Sequence, residues 1–65
     1  MTKEEEDLLR MLHETHFSGA FAIACDGKLR ASAHRLEELG FAEWKGTNWG
    51  SSFYAITDAG LRHAS

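Results

Sequence analysis

The sequence of 65 residues contains no proline and a single cysteine, Cys25, so no disulfide can form within it. A lone thiol is typical of proteins from a reducing compartment, and we therefore expect a cytoplasmic protein. No apolar run is long enough to cross a bilayer. The first residues, MTKEEEDLL, are acidic, whereas a secretion signal begins with basic residues. These absences predict a protein with no membrane partner.

Positive charge is also scarce. Seven Lys and Arg stand against ten Asp and Glu, a net charge of −3, which argues against indiscriminate binding of nucleic acid. The balance is −4 over residues 1–27 and +1 over residues 28–65, which together give the −3 of the chain. Any site for phosphate is therefore expected in the second half.

The apolar content is sufficient for one small core. Hydrophobic residues make up 43% of the chain, too many for a disordered polypeptide, and a chain of this length forms one domain, here residues 1–65. No glycine-rich phosphate loop follows a strand, and there is little room for a pocket. We therefore expect neither an enzyme nor a cofactor.

Helical periodicity begins at once. Thr2 and Glu5 fit a capping box, and the acidic residues that follow suit the positive end of a helix dipole. A first helix is predicted to end near His16, with an inward stripe formed by Leu8, Leu9 and Leu12.

The next segment has two interpretations. Ser18 can cap a short helix over residues 20–25. Alternatively, residues 20–31 form a β-hairpin around Asp26-Gly27, because apolar side chains alternate before that turn at Phe21, Ile23 and Cys25. The helix is preferred because no β-branched or aromatic run follows Gly27.

A further helix is predicted over residues 28–39. Its inward stripe consists of Leu29, Ala33 and Leu36. Its outward side carries the basic residues Lys28, Arg30, His34 and Arg35. Gly40 can take the left-handed conformation that ends a helix.

From Ala42 the period changes to two, which predicts two strands around a loop at residues 46–51. The side chains expected in the core are Ala42, Trp44, Tyr54 and Ile56. Those expected outside are Glu43, Lys45, Phe53 and Ala55. Thr57 is placed to cap a last helix over residues 58–63. The predicted class is α+β, in the order α-α-α-β-β-α.

These elements resemble a winged helix-turn-helix domain of the kind found in bacterial and phage regulators. Members commonly show a helix that reads V-x-R-x-L-x-x-L-E-x-x-G-L-V and a hairpin that ends in Y-x-L-T-x-x-G. The matching positions are Leu29, Ala33, Leu36, Glu37, Gly40, Phe41, Ala42, Tyr54, Ile56, Thr57 and Gly60. Most of them are structural, so the pattern indicates a fold more than a ligand.

The resemblance implies a protein that binds duplex DNA, a small transcription regulator or a phage- or plasmid-type accessory factor. In that family the third helix enters the major groove, the wing touches the backbone and many members are dimers. The positions carried over as DNA contacts are Lys28, Arg30, His34 and Arg35 in the helix and Lys45, Thr47 and Asn48 in the wing. Arg and Lys suit this work because they donate to guanine edges and phosphate oxygens.

A second hypothesis is a winged-helix module, or an inhibitor, that docks on a larger protein. The wing tip lacks Lys and Arg, and acidic side chains lie near the proposed surface at Glu37, Glu38 and Glu43. Trp49 and Phe53 are the candidate anchors, because exposed aromatic residues often mark protein interfaces.

Two other constellations are weaker. His13 and His16 have a spacing compatible with metal ligation, but no carboxylate or thiolate is clearly placed to complete the site, so no metal is expected. Cys25 and His34 could form a nucleophile pair, but a small buried thiol is the simpler interpretation of the cysteine.

Overall fold

The computed structural model describes residues 1–64 of the chain. Its helices and strands are α1 (Lys3–Phe17), β1 (Ile23–Ala24), α2 (Lys28–Glu38), β2 (Ala42–Asn48), β3 (Ser51–Ile56) and α3 (Asp58–Ala64). The strands form one antiparallel sheet in the order β1-β3-β2. The predicted α+β class is confirmed, and the described residues hold one helix fewer than expected.

The helix preferred for residues 20–25 was wrong. Ile23 pairs with Tyr54 and Ala24 with Phe53 of β3, and the Cys25 amide donates to the Ser52 carbonyl over 2.8 Å. The alternative hairpin over residues 20–31 was also wrong, because α2 begins directly after Gly27. The alternating apolar residues did signal a strand, but its partner lies some thirty residues away and no local pattern reveals it.

The first helix begins as predicted. The Thr2 hydroxyl accepts from the Glu5 amide over 3.2 Å, and the Glu5 carboxylate accepts from the Thr2 amide over 3.3 Å. This capping box satisfies two amides that the helix itself leaves without partners. Helix α1 can therefore begin at Lys3 and present its apolar stripe to the rest of the chain.

The core lies between the helices and one face of the sheet. Its buried apolar side chains are Leu8, Leu9, Leu12, Cys25, Ala33, Leu36, Ala42 and Tyr54. Leu29 and Ile56 are partly buried and pack against this cluster. The inward stripes predicted for the first helix and for α2 are thus confirmed, as are the inward positions of Ala42 and Tyr54.

For two strand residues, the predicted solvent exposure of the side chain was wrong. Trp44 was expected in the core but is 52% exposed, on β2, which is an edge strand of the sheet. Ala55 was expected outside but is buried. Residues 20–22 cross the outer face of the sheet there and lie over Ala55.

A β-bulge changes the register of the hairpin. Trp44 pairs with Tyr54, but the next pair joins Gly46 to Phe53, so Lys45 is an extra residue in β2. A bulge bends its strand and increases the local twist. Beyond the bulge the tip of the hairpin projects into solvent, where Trp49 is 91% exposed.

Thr57 ties three elements together. Its hydroxyl donates to the Gly40 carbonyl over 2.6 Å and accepts from the Gly60 amide over 3.1 Å. Its own amide donates to the Phe41 carbonyl over 3.1 Å. We call these hydrogen bonds the Thr57 clasp. They confirm Thr57 as the cap of α3, and Gly40 has the predicted left-handed conformation with φ of +83°.

The clasp brings two backbone segments into contact. A Cβ atom on Gly60 would collide with the Phe41 carbonyl oxygen and would lie 2.7 Å from Cγ1 of Ile56. Phe41 in turn stacks on His63 of α3, with ring centroids 4.5 Å apart. Glycine is therefore required at position 60 by close approach, although the position is helical.

We expect Gly60→Ala to destabilise the protein. Helix propensity alone would raise the free energy of unfolding by about 1 kcal/mol. The collision with backbone atoms should outweigh it and lower the free energy of unfolding by about 1–3 kcal/mol. Urea unfolding followed by circular dichroism measures the sign. A more stable Gly60→Ala variant would show that α3 does not approach Phe41 this closely.

Candidate nucleic-acid interface

Helix α2 presents its basic side chains to solvent. Its buried positions are Ser32, Ala33 and Leu36, which fix the side of the helix that faces the core. The exposed positions include all four basic residues expected to contact DNA in this helix, Lys28, Arg30, His34 and Arg35. The structure thus brings the four predicted helix contacts onto the outward side of one element.

These basic residues form two rows. Arg30 and His34 are one helical turn apart, and Lys28 and Arg35 are two turns apart, so each pair lies along one stripe of the helix. The small side chain of Ala31 lies between the rows. At the level of Ala31 the surface is low in the middle and cationic at both sides, whereas Glu38 places a negative charge on the same middle stripe nearer the end of the helix.

Internal ion pairs leave most of this charge free. In residues 1–64 the ion pairs are His34–Glu37, with 3.5 Å between Nδ1 and Oε1, and Lys45–Glu43, with 2.7 Å between Nζ and Oε1. Neither pair includes Lys28, Arg30 or Arg35. Three permanent cations of α2 therefore remain available to an external anion.

Of the predicted wing contacts, Lys45 is the least available. Besides its ion pair, its Nζ lies 4.9 Å from the centroid of the Phe21 ring, a cation–π arrangement on the outer face of the sheet. Thr47 and Asn48 are exposed and pair with Ser52 and Ser51 of β3. Thr47 and Asn48 remain free to contact a ligand, whereas Lys45 is engaged within its own domain.

Trp44 is half-exposed beside Tyr54, which the sequence-based prediction missed. It pairs with Tyr54, so the two side chains are neighbours on one face of the sheet. Burial raises the pKa of Tyr54, the charge of Glu37 raises it further, and the charge of Arg30 opposes the rise. An alternating pattern predicts the face of a side chain but not whether anything covers it.

Trp49 occupies the tip of the hairpin in an unfavourable conformation. Asn48 pairs with Ser51, so the turn consists of Trp49 and Gly50, with φ of +56° and +77°. A turn with positive φ at both residues is the type I′ turn, for which Asn-Gly is preferred. Within residues 1–64, Trp49 is the one residue other than glycine with positive φ. Its side chain is 91% exposed, so no internal packing compensates the strain.

The other candidate protein anchor, Phe53, lies on the outer face of the sheet, opposite the face that carries Trp44 and Tyr54. Phe53 is partly buried, and it lines an open groove of about 330 Å³ together with Phe21 and Lys45. Phe21 itself is 76% exposed. Trp49 and Phe53 are thus not one patch: Trp49 extends from the end of the hairpin, and Phe53 belongs to the outer groove.

The cysteine and histidine constellations separate in space. Cys25 is buried in the core, its Sγ 3.7 Å from the Ile23 carbonyl oxygen, whereas His34 is exposed on α2. His13 packs against Phe17 with ring centroids 4.9 Å apart. In the part of the chain that the structure describes, His, Cys, Asp and Glu side chains form no group of three or more that could hold a metal ion.

The chain matches no protein-family model, no curated protein and no solved structure. None of the helices in residues 1–64 combines the length and the apolar content needed to cross a membrane. The interface is therefore characterised by its geometry and charge alone.

We expect Trp49→Asn to stabilise the fold. Asn tolerates positive φ and would create the Asn-Gly turn that type I′ geometry prefers. Relief of the left-handed strain should raise the free energy of unfolding by about 1 kcal/mol. Trp49→Val is the matched control and should lower it, because a β-branched residue suits positive φ least. Urea unfolding of both variants tests the turn, and a destabilised Trp49→Asn protein would contradict it.

Alkaline pH should weaken the fold through Cys25. Burial, aided by the charge of Asp26, raises the pKa of this thiol from 9.0 to about 11. The folded protein keeps the proton when the unfolded chain has lost it, so stability is full below pH 9 and falls between pH 9 and about 11. The free energy of unfolding measured across this range should decline. Cys25→Ala should flatten the decline, and an equal decline in that variant would assign it to another group.

Proposed function

We propose that this domain binds duplex DNA through α2, with the β2–β3 hairpin as a wing. The observation that carries the proposal is the outward side of α2, where Lys28, Arg30 and Arg35 are exposed and outside the internal ion pairs. Eleven residues of helix extend about 16 Å. The diameter of an α-helix matches the width of the major groove, where Arg and Lys can donate to guanine edges.

The neighbouring elements support a winged-helix arrangement. The hairpin follows α2 directly, and β1 pairs with β3 to complete a three-stranded sheet. We infer that β1 and the turn around Gly27 support α2 in place of the additional helix that winged helix-turn-helix domains carry. Thr47 and Asn48 would then contact the sugar-phosphate backbone and fix the register of the helix.

The charge of the domain limits the kind of DNA binding that it can perform. Glu38 lies on the exposed side of α2 near Ala31 and His34, and the chain as a whole has a net charge of −3. With three or four phosphate contacts, the logarithm of the affinity should fall against the logarithm of salt with a slope of roughly −3 to −4. Such modest affinity suits a small transcription regulator or a phage- or plasmid-type accessory factor that binds chosen sites rather than DNA in general.

A second candidate function is docking on a protein partner or on a second copy of the chain. The specific observation in its favour is the outer face of the sheet, where Phe21 is 76% exposed beside Phe53 and the groove they line. This face lies opposite the helical layer. It is therefore compatible with DNA binding by α2 and becomes the main interface only if α2 binds no DNA.

Fluorescence anisotropy of labelled duplex DNA at about 50 mM and about 200 mM salt tests the proposal. Arg30→Ala and Arg35→Ala should each weaken binding, and loss of a phosphate contact should make the salt slope shallower by about 1. Arg62→Ala is the matched control, because Arg62 is exposed on α3. No affinity at the lower salt, or equal weakening by the control, would exclude α2 as the DNA-binding element and favour protein docking.

A further inference from the structure

Both tryptophans of the chain are exposed and both belong to the hairpin. Trp44 is 52% exposed and Trp49 is 91% exposed, although tryptophan is among the residues that gain most from burial. The chain holds two tryptophans in all. The hydrophobic effect has therefore placed neither ring fully in the core, and the fold leaves both available to a ligand.

The backbone conformation of Trp49 destabilises the domain, and no contact of its side chain offsets this effect. The type I′ turn would be more stable with Asn at this position, and the ring makes no compensating contact because it is almost fully exposed. Strained backbone that persists at an exposed residue points to a functional constraint. The ring is also held at the apex of a hairpin, where it can reach beyond the surface of the domain.

Both tryptophans belong to the hairpin that follows the cationic helix. Trp44 adjoins Tyr54, and α2 packs against β2, the strand that carries Trp44. Trp44 and Trp49 are five positions apart, about 15 Å along the strand, or roughly four nucleotide steps of a stacked strand. Cationic side chains next to aromatic rings are the combination that binds unpaired nucleotides, because the cations hold the backbone and the rings stack on bases.

We propose that the DNA target of this domain contains unpaired bases next to a duplex, and that Trp44 and Trp49 stack on those bases. This inference rests on the proposed function, in which α2 holds the duplex through its phosphates. It adds the class of DNA: a duplex with a single-stranded extension or an opened segment, rather than a continuous duplex.

The uncharged tip of the hairpin favours bases over the backbone as the contact of Trp49, beside the backbone contacts proposed for Thr47 and Asn48. The tip carries Asn48, Trp49, Gly50 and Ser51, so it offers no cation to a phosphate. An indole ring has one donor, its N–H, and otherwise a large apolar face. In a continuous duplex both faces of each base are already stacked, so the rings would meet only groove edges and sugars. Unpaired bases expose the faces that an indole can cover.

The test compares two DNA probes in titrations with the full chain. One is a blunt duplex of about 12 base pairs, just over one helical turn, and the other is the same duplex with a single-stranded extension of about four nucleotides. Stacking on one or two bases should make the extended probe bind about tenfold tighter or more. Equal affinity for the two probes would overturn the inference while leaving duplex binding by α2 intact.

Tryptophan fluorescence reports the contact directly. Trp44→Phe leaves Trp49 as the single reporter, and Trp49→Phe leaves Trp44. A stacked base quenches an indole, so the extended probe should quench each variant and shield it from iodide, whereas the blunt duplex should do neither. Saturating extended probe that leaves both reporters unquenched and open to iodide would overturn the inference.

Substitutions separate stacking from folding. Trp49→Asn should reduce the preference for the extended probe by about fivefold or more, with the remaining preference due to Trp44, in a protein at least as stable as the parent. Phe17→Ala is the control, because Phe17 is a 71% exposed aromatic residue on α1, and it should retain the preference. Loss of the preference in Phe17→Ala as strongly as in Trp49→Asn would contradict a specific role for the turn. Absence of binding to both probes by the parent would refute the proposed function and this inference together.

Discussion

The architecture depends on the Thr57 clasp. One hydroxyl joins the carbonyl after α2 to the amide of α3, and the Thr57 amide binds the next carbonyl, that of Phe41. The Gly60 amide lies in the first turn of α3 and would otherwise lack a partner within the helix. Because Gly60 has no side chain, α3 can rest directly on the backbone between α2 and β2. The clasp thereby fixes the direction of the hairpin relative to the exposed side of α2.

The same geometry divides α2 into a packed side and an exposed side. Leu36 and Ala33 fill the core, and burial of a leucine contributes about 2 kcal/mol or more. The exposed cations contribute little to stability, because isolated surface charges in water interact weakly. Their positions are thus free to serve a ligand. The clasp and the apolar stripe hold the helix so that these side chains share one accessible surface.

In the hairpin, by contrast, two exposed residues are unfavourable for the stability of the domain. At Trp49 the turn geometry and the residue type disagree, and at Trp44 a large apolar ring is half-exposed. Local preference and global fold usually agree, and conflicts between them concentrate at functional sites. Both conflicts fall on the element next to the cationic helix. This coincidence, rather than either ring alone, connects the wing to the proposed ligand.

Local signals in the sequence determined the helices at both ends, α2, its basic outward side and the β2–β3 hairpin, because caps, glycines and periodicity act over a few residues. Tertiary structure alone decided that residues 23–24 pair with β3, since the partner is distant in the chain. It also decided that Trp44 is exposed and Ala55 is covered, because alternation along a strand assigns a face and only the packing of other elements decides whether that face meets water.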